Sequence, residues 1–138
     1  MNPYRAYAQQ AASAWLRIDM LLALYDGLIG KLEAARAALT RKDAREVRKL
    51  LDKSRLILGG MVSAVDPRRG ALATEFLRLY EFVNYSLTVA DLKHLDAALK
   101  VLRTLRQGLE AIRPEAVELE RSGQIPPADA VQNVRLIV

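Results

Sequence analysis

The sequence predicts an all-α fold, an antiparallel up-and-down four-helix bundle with an N-terminal arm and a C-terminal tail. Three observations carry that prediction. Four stretches place apolar residues at gaps of three and four, the spacing of a buried helix face. Short segments rich in Asp, Gly and Pro separate them. No stretch alternates apolar and polar residues as a half-buried strand would. The predicted organisation is an arm over 1–13, a bundle domain over 14–121 and a tail over 122–138.

The arm holds Tyr4 and Tyr7 among small and polar residues, and Pro3 keeps its start out of a helix interior. It reads either as a frayed end whose tyrosines rest on the bundle or as a docking peptide. The first long helix follows, over Ile18 to Leu39. Leu21, Leu24, Leu28, Leu32, Ala35 and Leu39 form one apolar stripe, and Ile18, Leu22, Tyr25 and Ile29 form a second beside it. A helix that filled only one side of a core would not need both, so the second stripe is expected to face a partner.

Asp43, with Glu46 three residues on, has the form of a capping box and opens the second helix. That helix carries Val47, Leu50, Leu51, Ser54, Ile57, Leu58, Met61 and Val65 and stops at the Asp66-Pro67 turn. Gly59 and Gly60 inside it mark a close helix approach, a kink or a flexible switch. The third helix, Ala71 to Ala90, is expected to bury Leu72, Phe76, Leu79, Tyr80, Val83 and Leu87. Phe82, Tyr85 and Val89 lie off that stripe and are expected to be exposed. The fourth carries Leu95, Ala98, Leu99, Leu102, Leu105, Leu109 and Ile112, with Asp96 near its positive dipole end, and Pro114 is expected to end or kink it. The tail closes on NVRLIV after a Pro-Pro pair; it reads as a groove-capping segment, a dimer contact or a disordered end.

Composition narrows the function. The chain has 138 residues, 51% hydrophobic, enough for one domain with a real core. It has no cysteine, so it offers neither a disulfide framework nor a thiolate metal site. Its first residues, MNPYRAYAQQ, lack the apolar run of a signal peptide, and no segment is long and apolar enough to span a bilayer, which predicts a cytoplasmic protein without stable membrane insertion. The net charge of +5 would suit nucleic acid, but Lys and Arg interleave with Asp and Glu along the helices and read as solvated faces.

No enzyme chemistry is legible. His94 is the sole histidine, and a di-metal bundle would need Glu-x-x-His on two helices. There is no nucleophile and base pair, zinc site or phosphate loop, so no catalytic, cofactor or metal residue is assigned. His94 reads as an inter-helix residue and Asp26 as a surface or hydrogen-bonding group.

Four motifs in register carry a family resemblance. Leu24-Tyr25-Asp26-Gly27 resembles the LYDG-type signature of the flagellar secretion chaperone FliS family. Asp52 to Ile57, DKSRLI, is similar to that family's second-helix pattern; Val65-Asp66 with Gly70 resembles its loop between helices two and three; Leu79-Tyr80-Glu81-Phe82 resembles its third-helix LYDY-type segment. The match keeps order and spacing from about Tyr4 to Ile112. Leu16-Arg17, Arg69-Gly70 and Leu109 stand where the family often has Ser-Pro, Gly-Gly and tryptophan.

The resemblance implies a non-enzymatic export chaperone. It would bind the C-terminal segment of flagellin, prevent premature polymerisation and aid delivery to a flagellar type III export gate component. Tyr4 and Tyr7 would dock the arm. From the residues, the client groove is expected to involve Ile18, Leu22, Tyr25, Ile29, Phe82, Tyr85 and Val89, since amphipathic helices need apolar grooves to receive them. The expected state is monomer or weak homodimer, with no nucleic acid partner. The alternatives are a basic bundle that does bind nucleic acid and a bundle that only self-associates.

Overall fold

The computed structural model describes residues 17–123, and Tyr4, Tyr7 and the NVRLIV segment lie outside that range. Four helices account for nearly all of it: α1 (Arg17–Thr40), α2 (Ala44–Ser63), α3 (Ala71–Val89) and α4 (Leu92–Arg121), with a 3-10 turn at Pro67–Arg69. There is no strand among the described residues.

Local chemistry sets the ends. Lys42 takes a left-handed conformation (φ 59°), which lets the Asp43 N–H reach back to the Ala38 carbonyl at 2.9 Å and close α1. Asp43 then caps α2, accepting the Glu46 N–H at 3.1 Å, as its spacing predicts. Asp66 accepts from the Arg68 N–H at 3.0 Å, with Pro67 opening the 3-10 turn. Gly70 follows at φ 116°, a conformation that L side chains rarely adopt. Ala90 at φ 60° ends α3, and Asp91 caps α4 by accepting the His94 N–H at 2.7 Å. That bond, strengthened by the His94 side chain, holds the Asp91 carboxyl below the usual carboxylate range.

The helices form a ring in which α1 packs between α2 and α4, and α3 closes it against α4 and, more sparsely, α2. The position of α1 corrects one expectation. Ile18, Leu22, Tyr25 and Ile29 are all buried, because α1 meets two neighbours and both of its apolar stripes are covered. The core runs through Leu21, Leu28, Leu32, Leu58, Met61, Val83, Leu87, Leu95, Leu99 and Leu102, with Ala35, Ala38, Ala73 and Ala98 where less room is needed.

One polar bond crosses this core. The hydroxyls of Tyr25 and Tyr80 lie 2.6 Å apart, joining α1 to α3 across the diagonal of the ring. Each buried phenol thereby gains the partner it needs. Burial pushes both phenols up, Tyr80 to about 12 and Tyr25 further, so both are neutral donors and acceptors at ordinary pH.

Charge lines the α1/α4 side. Asp19, Asp26 and Glu33 recur every seventh residue on α1 and pair with Arg113, Arg106 and Arg103 of α4, while Arg36 pairs with Asp96; the closest nitrogen to oxygen distances are 2.5–2.7 Å. Asp96 is therefore a cross-helix partner, and the dipole end it was expected to serve is capped by Asp91. Asp26 does make a surface ion pair.

Three further expectations are corrected. Leu72 is 67% exposed and Ile112 44% exposed, since each lies at the rim of its stripe, where no neighbouring helix covers it. α4 does not end at Pro114. Its last turns are held from α1 instead: Arg113 grips Asp19, the Arg17 N–H donates to Glu120 at 3.1 Å, and Val117 is buried. These contacts offset the one backbone bond that proline removes. Gly59 and Gly60 sit inside α2, and a Cβ built on either meets nothing within 4 Å, so neither marks a close helix approach.

Candidate functional site

Among the described residues no cluster of His, Asp and Glu could hold a metal ion, and no helix is long and apolar enough to cross a membrane. His94, the lone histidine, has its Nδ1 2.6 Å from Asp91 and meets the Tyr85 ring edge-on at 5.8 Å, an inter-helix position as expected. The molecule's distinguishing features are its surfaces.

The first surface lies where the ring is loosest. Between α2 and α3 the helices separate into a groove of about 660 Å³. Its apolar lining comes from Val62 on α2 and Leu77 on α3 above the buried Leu58 and Tyr80, with Arg55, Arg78 and Glu81 along its edges. Two causes lie in the sequence. Gly59 stands in the lining and puts no side chain into the space. The link from Ala64 to Gly70 is the longest of the three connections and lets the two helices part. Tyr80 is fully buried beneath the groove, with its hydroxyl turned inward to Tyr25.

The second surface is a strip along α3 into the start of α4. Phe82 is 38% exposed, Tyr85 59%, Val89 39% and Leu92 40%, an unusual run of large apolar groups facing solvent. Phe82, Tyr85 and Val89 are exposed as the helical spacing predicts, yet none of them lines the α2/α3 groove.

The seven residues expected to form a groove are thus split. Ile18, Leu22, Tyr25 and Ile29 are interior, and Phe82, Tyr85 and Val89 are outside. The groove itself escaped sequence reading. Leu58 and Tyr80 look like core, and Leu77 and Val62 fall between stripes. Gly59 was the available signal, since a residue without a side chain leaves a hollow wherever a neighbour does not fill it.

A third feature adjoins the groove. Nearer the α1/α2 turn, α2 and α3 leave an opening of about 440 Å³, lined by Leu39, Val47, Leu51 and Leu87 together with Arg48, Asp52 and Arg55. The net charge of the chain concentrates here rather than spreading evenly. Between Arg41 and Arg55 stand seven cations and three acids, so this segment carries +4 of the +5.

The family profile described as flagellar protein FliS matches residues 1–116. This chain belongs to the FliS family. No curated protein matches it. Membership supports a flagellar chaperone role with a flagellin-related partner. It also gives the Tyr25 to Tyr80 bond a context: the LYDG and LYEF segments that carry the resemblance meet at that bond, in the centre of the FliS bundle. In this FliS chain the matched region stops short of the last turns of α4 and the tail beyond them.

Proposed function

We propose that this FliS protein receives the amphipathic C-terminal segment of flagellin in the α2/α3 groove and along the Phe82, Tyr85 and Val89 strip. It thereby prevents premature polymerisation in the cytoplasm and hands the subunit to a component of the flagellar type III export gate. The observation that carries this reading is the open groove with apolar lining, on the side of the ring where the described helices pack most sparsely. The work is done by burial and not by bond chemistry. A client segment that folds as it binds loses chain entropy, and only a large apolar contact offsets that. Burying one large aliphatic or aromatic side chain contributes about 1.5–3 kcal/mol, so a few anchors in the groove and on the strip suffice for useful affinity.

Two surfaces on different sides suit a segment that wraps the bundle with more than one helix. The arm with Tyr4 and Tyr7, which the family resemblance associates with groove occupation and gate docking, would exchange with the client. The free protein is expected to be a monomer or weak homodimer, since the strip is a narrow apolar patch for a stable dimer.

Titration calorimetry with a flagellin C-terminal segment tests the reading. Changing Val62 and Leu77 together to Gln should weaken binding by about 2 kcal/mol or more, the loss expected of anchor residues. Phe82→Ser with Tyr85→Ser should weaken it too while leaving the thermal midpoint nearly unchanged, because both side chains are already exposed. Unchanged affinity in both variants would reject the assignment.

A further inference from the structure

The seven cations between Arg41 and Arg55 are all exposed. Arg41 approaches Asp43 at 4.0 Å and Arg55 meets Asp52 at 3.2 Å, but Lys42, Arg45, Arg48, Lys49 and Lys53 have no ion-pair partner among the described residues. The arginines of α4 behave oppositely, with Arg103, Arg106 and Arg113 each gripping a carboxylate of α1. The fold therefore pairs the three arginines that α4 turns toward α1 and leaves these five cations without such partners. These are also charges the helix would be better without. Arg45, Lys49 and Lys53 stand four residues apart, a spacing at which like charges repel. Arg45 and Arg48 lie near the positive end of the α2 dipole, which disfavours cations.

The smaller opening lies against these residues. Arg48 and Arg55, seven residues apart, fall two turns apart on one face of α2, and Val62 continues the row into the larger groove. Arg55 borders both openings, so they adjoin along one seam.

We propose that the client segment seated in the α2/α3 groove continues into the smaller opening and carries carboxylates that pair with the cations of the first half of α2. This rests on the reading of the groove as the client site. The chemistry required is an amphipathic helical segment with apolar side chains toward Val47, Leu51 and Leu87 and acidic ones toward Arg48 and its neighbours. A nucleic acid strand fits less well. Its evenly spaced phosphates would meet Asp52 in the opening and Glu81 in the groove, and a phosphodiester has nothing to set against the apolar wall. Charge of this kind steers encounter and fixes the direction in which the segment lies, so binding should be salt-dependent.

Calorimetry with the C-terminal segment of flagellin from the same organism, at about 50 and 300 mM salt, tests this on the full chain. The arms are wild type, the charge-reversal variant Arg45→Glu/Arg48→Glu/Lys49→Glu, and the groove variant Val62→Gln/Leu77→Gln. Wild-type affinity should fall roughly tenfold between the two salts, and the charge-reversal variant should bind at least about tenfold more weakly at low salt, with little salt dependence left. Its thermal midpoint should change little, since the acid replacing Arg45 suits that end of α2 while the new carboxylates repel one another and Asp52 weakly, much as the cations do now. A segment with its acidic residues changed to Lys should bind the charge-reversal variant better than the wild type. If that variant binds like wild type at both salts while the groove variant does not bind, the acidic docking is wrong and the groove reading stands. If both variants bind like wild type, the groove reading fails as well. Loss of duplex DNA binding in the charge-reversal variant, with flagellin binding intact, would overturn the proposal in favour of nucleic acid.

Discussion

The α1/α4 seam and the α2/α3 seam are built from the same kinds of residue and do opposite things. Along α1/α4, Leu21, Leu28 and Leu32 face a helix that supplies Leu95, Leu99 and Leu102, and four Arg and carboxylate pairs run along the outside. Along α2/α3, the Arg55 guanidinium donates to the Leu87 carbonyl at 3.2 Å, no ion pair crosses among the described residues, and a groove opens. A bundle can leave one side open only if another is closed firmly. Loop length and glycine placement decide which side that is.

The largest expected effect separates the two seams directly. Leu102→Ala, at a fully buried site on α4, should cost about 2–5 kcal/mol of unfolding free energy. Leu77→Ala, a half-buried groove residue, should cost less than about 1.5 kcal/mol, because its cavity already opens to solvent. Urea unfolding of the two variants measures this, and equal losses would mean that the α2/α3 seam is as closed as its counterpart.

Next comes the bond joining the two halves of the ring. Tyr25→Phe leaves the Tyr80 hydroxyl buried without its partner and should cost about 1–3 kcal/mol. Changing both tyrosines to Phe should recover most of that loss, since no orphaned hydroxyl remains. A double-mutant cycle reads the coupling; additive losses would show that the bond does not hold α3 to α1.

Smaller still is the surface charge of the α1/α4 seam. Arg106→Ala breaks its pairs with Asp26 and Glu110 and should cost only about 0.2–1 kcal/mol, because both carboxylates are exposed and the guanidinium is partly so. The difference from wild type should shrink as salt rises. If it does not, Arg106 stabilises by packing its stem and not by charge.

The smallest effect is one of pH. Asp91, capping α4, titrates below its usual range in the folded chain, so its contribution is complete above the ordinary carboxylate value and is lost as pH falls through the lowered one. The acid limb of a thermal midpoint profile should therefore flatten in Asp91→Asn, which keeps a capping oxygen without the titration. An unchanged limb would assign acid unfolding to other carboxylates.

Local information determined the helices and their ends. The apolar gaps marked all four, Asp43 with Glu46 announced the start of α2, and Asp66-Pro67 with Gly70 announced the break after it, because capping and turn geometry are satisfied within a few residues of chain. The motif strings also reached the family, since LYDG and LYEF both lie within the residues that its profile matches. The spacing also placed Phe82, Tyr85 and Val89 on an exposed face, but the tertiary structure decided the fate of the second stripe of α1. Periodicity tells which side of a helix is apolar, but whether Ile18, Leu22, Tyr25 and Ile29 meet solvent depends on how many neighbours α1 has, and it has two. It likewise decided that Leu77 and Val62 border a groove and that Arg45, Arg48, Lys49 and Lys53 have no ion-pair partner among the described residues while Arg103, Arg106 and Arg113 each hold a carboxylate of α1. Those facts depend on the distances between helices far apart in the chain, which no local pattern encodes.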